Sequence, residues 1–169
     1  MKIGVLSDTH GFLDKKIFSF FNHCDEIWHA GDIGSIDVYN EIETFKPLVA
    51  VYGNIDGQPL RGMLKKNLMK KRNGINIFMT HIGGYPGNYE KGIKKLLNEN
   101  LPDLFISGHS HILKVMPDKD LKILHINPGA AGRLGLHKIR TAVRFDINNK
   151  KVENLEIIEL GARSKSETY

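Results

Sequence analysis

Lys2-Ile3-Gly4-Val5-Leu6-Ser7-Asp8-Thr9-His10-Gly11 stands at the start of the chain, and its pattern decides how the rest is read. The run from Lys2 to Leu6 is a buried-strand pattern that stops at polar and small residues. Asp14 then stands where it can cap a helix carrying Ile17, Phe18 and Phe21, with Phe20 and Cys24 nearby. Glu26-Ile27-Trp28-His29 reads as a second strand, and it too stops at a polar end, Ala30-Gly31-Asp32. Ser35 caps a further helix with Val38, Tyr39, Ile42 and Phe45 at helical spacing, ended by Pro47. Leu48-Val49-Ala50-Val51 is a third apolar strand and leads to Gly53-Asn54. Strand, helix, strand, helix, strand builds a parallel sheet covered by helices.

Residues 63–69 and 75–80 read as a strand pair turning at Arg72-Asn73-Gly74, because Asn-Gly favours a tight hairpin. Asn88 is placed to cap a helix with Tyr89, Ile93, Leu96 and Leu97 inward. After Pro102, Leu104-Phe105-Ile106 is a short strand that ends at Gly108-His109-Ser110-His111. Four more strands are expected at 113–116, 122–126, 141–146 and 152–160, with Asn148-Asn149-Lys150 as a hairpin turn. So many strands and so few helices predict an α/β fold, a two-sheet β-sandwich flanked by helices in four αββα layers. One domain is expected over residues 1–160, followed by a polar, frayed tail at 161–169.

The chain has 169 residues, 41% hydrophobic and 25% charged, which suits a globular protein and excludes a disordered or fibrous one. Its single cysteine, Cys24, cannot form an internal disulfide. No secretory signal and no bilayer-length apolar run is evident, so a cytoplasmic location without membrane contact is expected. The net charge of +5 owes much to Lys65, Lys66, Lys70, Lys71 and Arg72. A solvated strand edge explains them, and no specific nucleic-acid partner is expected.

The polar strand ends carry the chemistry. Asp8, His10, Asp32, Asn54, His81, His109 and His111 each follow an apolar strand-like run. Ligands of open sheets bind beyond the carboxyl ends of strands. In an extended segment residues i and i+2 project to the same side, so His109 and His111 are expected to face one site. Seven oxygen and nitrogen donors exceed the needs of one tetrahedral ion and suit two divalent ions. Manganese is favoured, with zinc, iron or nickel as alternatives. Asp32, central in the order, is the candidate bridge. No Gly-x-x-x-x-Gly-Lys-Ser/Thr loop is present to cradle a nucleoside triphosphate. Turn chemistry explains each aspartate alone, but it does not predict imidazoles at the same strand ends. His29 reads as support or core, His23 as surface, and His125 and His137 as structural.

Asp8-x-His10, Gly31-Asp32, Gly53-Asn54, His81 and Gly108-His109-x-His111 occur in the order of the calcineurin-like metallophosphoesterases. With Asn127-Pro128-Gly129 after a strand, the chain resembles the small YfcE-type phosphodiesterase branch of that family over residues 2–160. The resemblance implies the two-sheet sandwich with a dinuclear site at the sheet ends. It implies that Asp8, His10, Asp32 and His111 hold one metal, and Asp32, Asn54, His81 and His109 the other. A bridging hydroxide would attack phosphorus in line, with Asp32, Asn54 and His109 as catalytic residues.

One position departs from many members of the family. Where they carry Gly-Asn-His, with the histidine near the leaving oxygen as general acid, this chain has Gly53-Asn54-Ile55-Asp56. Ile55 donates no proton, and Asp56 is expected to be exposed and ionised. The same departure occurs in the family's retromer subunit, a protein-binding scaffold. The expected function is a metal-dependent phosphodiesterase acting on a small phosphodiester. The alternatives are a phosphomonoesterase with the same site and a metal-binding interaction scaffold. The oligomeric state stays open, a homo-oligomer included.

Overall fold

The computed structural model describes residues 1–163. Its first part follows the alternation of the sequence: β1 (Lys2–Leu6), α1 (Lys16–Phe21), β2 (Glu26–His29), α2 (Ile36–Phe45) and β3 (Leu48–Ala50). The three strands pair in parallel, with Val5 beside Trp28 and Trp28 beside Val49. The Ser35 hydroxyl accepts the Val38 N–H at 3.2 Å and so caps α2. Asp14 accepts the Lys16 N–H at 3.0 Å at the start of α1 and also takes Arg140 Nη1 at 2.7 Å.

The second part contributes α3 (Leu60–Met63), β4 (Asn67–Arg72), β5 (Ile75–Thr80), β6 (Gly84–Tyr85), β7 (Asn88–Tyr89), α4 (Ile93–Asn100) and β8 (Leu104–Ile106). It ends with β9 (Leu113–Asp118), β10 (Ile123–Pro128), β11 (Ile139–Asn148) and β12 (Lys151–Ala162). One sheet runs β12-β11-β1-β2-β3 and the other β4-β5-β8-β10-β9. Ile3, Val5, Trp28 and Phe145 of the first sheet face Ile77, Met79, Leu104 and Ile106 of the second in a sealed core. The alternate residues Leu6 and Ile27 point the other way, onto Ile17, Phe21 and Ile42 of α1 and α2. Phe78 and Phe105 do the same on the far side, against Ile93 and Leu97 of α4. Period-two alternation therefore fills three hydrophobic interfaces, and each fully buried large side chain contributes ~1.5–3 kcal/mol. The result is the four-layer αββα sandwich. Glu26 takes the buried Trp28 Nε1–H at 2.9 Å and the Arg72 guanidinium at 2.8 Å, tying the two sheets together.

Several local expectations are corrected. Asn88 caps no helix; Asn88 and Tyr89 form β7, paired with β6, and α4 begins at Ile93 after Gly92. Tyr89 is drawn away by packing on Phe105 and by a hydrogen bond to Asp118 at 2.5 Å. The strand expected from residue 63 starts at Asn67, because Leu60–Met63 is helical. β12 continues through Gly161 and Ala162, which pair with Arg140 and Ile139. The expected tail loses those two residues, and its positions 164–169 lie outside the described residues. The basic segment is a solvated edge: β4 is the outer strand of its sheet, and Arg72 is engaged by Glu26.

Candidate metal centre

Five strands end on one basin. Asp8 and His10 follow β1, Asp32 follows β2, Asn54 follows β3, His81 follows β5, and His109 and His111 follow β8. Asp8, His10 and His111 offer donor atoms that all lie within 4.8 Å of one another, and so do Asp32, His81 and His109. Asn54 joins the second group, its Oδ1 standing 3.1 Å from His81 Nε2. The groups meet at their carboxylates. Asp8 Oδ1 is 3.1 Å from His111 Nε2 and 3.9 Å from His81 Nε2. Asp32 Oδ2 is 3.2 Å from His81 Nε2 and 3.8 Å from His10 Nε2.

The backbone that achieves this is not extended. Asp8, His10, Asp32, His109 and His111 have φ of 55°, 49°, 54°, 66° and 58°, all in the left-handed region. Such non-glycine conformations cost ~1–3 kcal/mol each and persist only where surrounding contacts enforce them. They also overturn the expectation that His109 and His111 share one side of an extended segment. His111 turns to Asp8 and His10, and His109 turns to Asp32 and His81.

The donor set fits metal ions. Among the described residues Asp8 Oδ1 is buried and has no hydrogen-bond partner, although three imidazole nitrogens surround it. A buried orphan carboxylate oxygen is costly unless a cation satisfies it. His81 Nδ1 stands 2.8 Å from the Ala30 carbonyl, which can only accept, so the proton sits there and Nε2 presents its lone pair to the basin. Burial works against a charged His81 ring, yet once Nε2 also carries a proton its hydrogen bond to Asp32 and the charges of Asp8 and Asp32 outweigh burial and raise the pKa. Burial likewise opposes an ionised Asp32, but His81 and the Ile55 N–H hold its pKa below the usual range. The His81 shift reports the negative charge of the two aspartates, and the Asp32 shift reports the imidazole and amide donors that face it.

A second ring of residues holds the loops, and most of it escaped sequence reasoning. Asp56 is buried, not exposed as expected; its two oxygens take the Gly34 and Gly53 N–H groups at 2.8 Å each. Gly53 can have no side chain, since a Cβ would lie 2.0 Å from Asp32 Oδ1. Asn127 Nδ2 donates to the Gly108 carbonyl at 2.8 Å, which gives the Asn-Pro-Gly motif a physical role. His29 is buried, as expected of a supporting residue: Nδ1 accepts the Gly31 N–H at 3.2 Å, and Nε2–H meets Thr9 Oγ1 at 3.0 Å. His125 is buried against Ser107 at 2.9 Å, His137 touches His111, and His23 is exposed. Asn127-Pro128-Gly129 and His29 left a signal in the sequence, whereas Asp56 with Gly34, His125 with Ser107 and His137 with His111 join separate segments of the chain.

Two cavities border the donors Asn54, His81 and His109. One, of about 210 Å³, includes His109, Gly108, Ile82, Tyr85, Lys114 and Asn127 in its wall. The other, of about 190 Å³, is lined by Asn54, His81, Ile82, Tyr52, Arg61 and Lys66. Ile82 belongs to both walls.

A four-layer sandwich with carboxylates and imidazoles gathered at its strand ends is the architecture of metal-dependent phosphoester hydrolases. The chain belongs to the calcineurin-like phosphoesterase superfamily, whose domain model matches residues 1–150. It is 31% identical to a phosphodiesterase of Methanocaldococcus jannaschii over 145 residues, covering 76% of this chain and 83% of the relative. The structure resembles that of an archaeal phosphodiesterase with a TM-score of 0.76 and 27% identity, over 94% of this chain and 99% of the other. Vps29 of Chaetomium thermophilum shares the fold, with a TM-score of 0.73 at 15% identity over 94% of this chain and 95% of that one. Among the described residues no helix is long and apolar enough to cross a membrane.

Proposed function

We propose that this protein is a phosphodiesterase that works with two divalent metal ions. Asp8, His10, Asp32 and His111 hold one ion, and Asp32, Asn54, His81 and His109 hold the other. When bound, the ions supply Lewis acidity to the phosphoryl oxygens and acidify the water that attacks phosphorus in line. The donors are carboxylate, imidazole and amide without a thiolate, a set that suits manganese, with zinc, iron and nickel as the alternatives.

The chain's own groups do the rest. Asp32 Oδ1 is occupied by the Ile55 N–H at 3.0 Å, so Oδ2 is the oxygen turned to both histidines and the one suited to a bridge. His81 keeps its proton on Nδ1, donated to the Ala30 carbonyl, and offers a fixed lone pair at Nε2. Asn54 brings an uncharged oxygen donor, and His109, the exposed member of its group, stands where substrate enters. Ile55 is half-exposed at this rim and offers the leaving oxygen no proton.

The pair of cavities that border the proposed ligands Asn54, His81 and His109 carries the diester reading. A phosphodiester has two substituents to place and a monoester only one. Both cavities share walls with proposed ligands, so each can hold one arm of a small diester. The scaffold reading gains nothing from the fold alone, which Vps29 shares; the seven donors gathered at one basin favour catalysis. A single domain over 1–160, a cytoplasmic location and a small-molecule substrate complete the reading. The test is turnover of a chromogenic phosphodiester and the matching monoester by manganese-loaded protein of measured metal content. Faster monoester turnover favours the phosphomonoesterase, and no turnover by fully loaded protein removes the enzyme reading.

A further inference from the structure

We infer that His137 is a positioning residue that sets the tautomer of His111 and thereby aims its lone pair into the basin; this rests on the reading of His111 as a metal ligand. The outermost partner of this pair of rings can act in only one sense. His137 Nε2 lies 3.1 Å from the Gly132 carbonyl, and a carbonyl oxygen only accepts. Nε2 of His137 therefore carries the proton, and its Nδ1 is a bare acceptor. That acceptor stands 3.2 Å from His111 Nδ1, which must then be the donor. With its proton on Nδ1, His111 turns an unprotonated Nε2 toward Asp8 Oδ1 at 3.1 Å and His10 Nε2 at 3.4 Å.

The loop is built to hold this arrangement. Gly132 packs so closely on β1's exit that a Cβ there would lie 2.3 Å from the Thr9 carbonyl oxygen, which fixes the peptide from which the relay begins. Arg133 lies over the Phe12 ring at 3.9 Å and anchors the loop beside His10. Gly135, at φ +122°, passes so close to His111 that a Cβ would lie 2.0 Å from Nδ1. The two imidazoles meet edge to face at 5.2 Å and 71°. A carbonyl thus orients one ring, which orients the next. Losing such an outer partner of a metal ligand typically costs ~10–100-fold in metal affinity.

The experiment compares wild type, His137→Leu and His137→Gln. Glutamine can accept from His111 with its carboxamide oxygen and donate to Gly132, whereas leucine can do neither. Calorimetric titration of metal-free protein with Mn²⁺ should show ~10–100-fold weaker binding at one of the two sites in His137→Leu, largely restored in His137→Gln. Long-range ¹H–¹⁵N spectra of the metal-free wild type should place the His111 proton on Nδ1. A proton on Nε2 overturns the inference, whether or not either variant folds. Equal affinities in wild type and His137→Leu overturn it as well, as does a folded His137→Gln as weak as His137→Leu. A wild type that binds no Mn²⁺ at all rejects the metal-site reading instead, and the spectra still decide the relay.

Discussion

The Ile55 N–H donates to Asp32 Oδ1 at 3.0 Å, so the residue that brings no acid to the site still orients its central carboxylate. The backbone of position 55 is committed to that bond, and only its side chain is free to vary. Asp32 in turn faces both clusters through Oδ2. Removing Asp32 should therefore affect both ions at once. In Asp32→Ala, metal content measured by atomic emission should fall for both sites, and diester turnover should drop by more than the ~10–100-fold of an outer-partner loss. A variant with wild-type metal content and turnover would defeat the bridging role.

The side chain of Ile55 predicts a dependence on the leaving group. General acid catalysis typically contributes ~10²–10⁴-fold, and without it the leaving oxygen departs close to its anionic form. Aryl phosphodiesters should turn over well and alkyl diesters poorly. Ile55→His should flatten the dependence, since it leaves the backbone N–H hydrogen bond to Asp32 in place. The measurement is a series of diesters of graded leaving-group pKa on both forms. A flat series for the native chain would mean that another group supplies the proton.

His125 predicts a component of acid lability. Burial pushes its pKa down from 6.5 to about 4, so the folded state holds the ring neutral while the unfolded chain protonates it. The sign follows: this stabilisation is present above pH 6.5 and is lost as pH falls towards 4. The loss is on the order of 3 kcal/mol across that window. Urea unfolding between these limits should fall less steeply for His125→Phe than for wild type, and parallel curves would show that His125 does not carry the effect.

The lysines of β4 predict weak and salt-sensitive contact with nucleic acid. Arg72 is held by Glu26 at 2.8 Å, and Lys70 and Lys71 lie on β4, the outer strand of its sheet. Duplex or single-strand binding followed by fluorescence anisotropy should be nonspecific and fade as salt rises. A tight, sequence-selective complex at physiological salt would contradict this.

The amino-acid sequence by itself determined the elements and the rim they end on. The buried-strand run Lys2–Leu6, helical spacing from Val38 to Phe45, the Ser35 cap and the Asn73-Gly74 turn act within a few residues of themselves, so no distant contact is needed to read them. The strand-end motifs were legible for the same reason, because each is local. Where a distant partner competes, local reading fails: Tyr89 abandons the helix expected of it for Phe105 and Asp118, and Asp56 is buried under the amides of Gly34 and Gly53. Only the tertiary structure sent His109 and His111 to different clusters, through left-handed backbone that nothing in Gly-His-Ser-His announces. Only it set His137 on His111, 26 positions away, and Asp8 under the His109 amide, 101 positions away. Those orientations depend on which strand ends lie side by side, and that is decided when the two sheets pack and exclude water from the core between them.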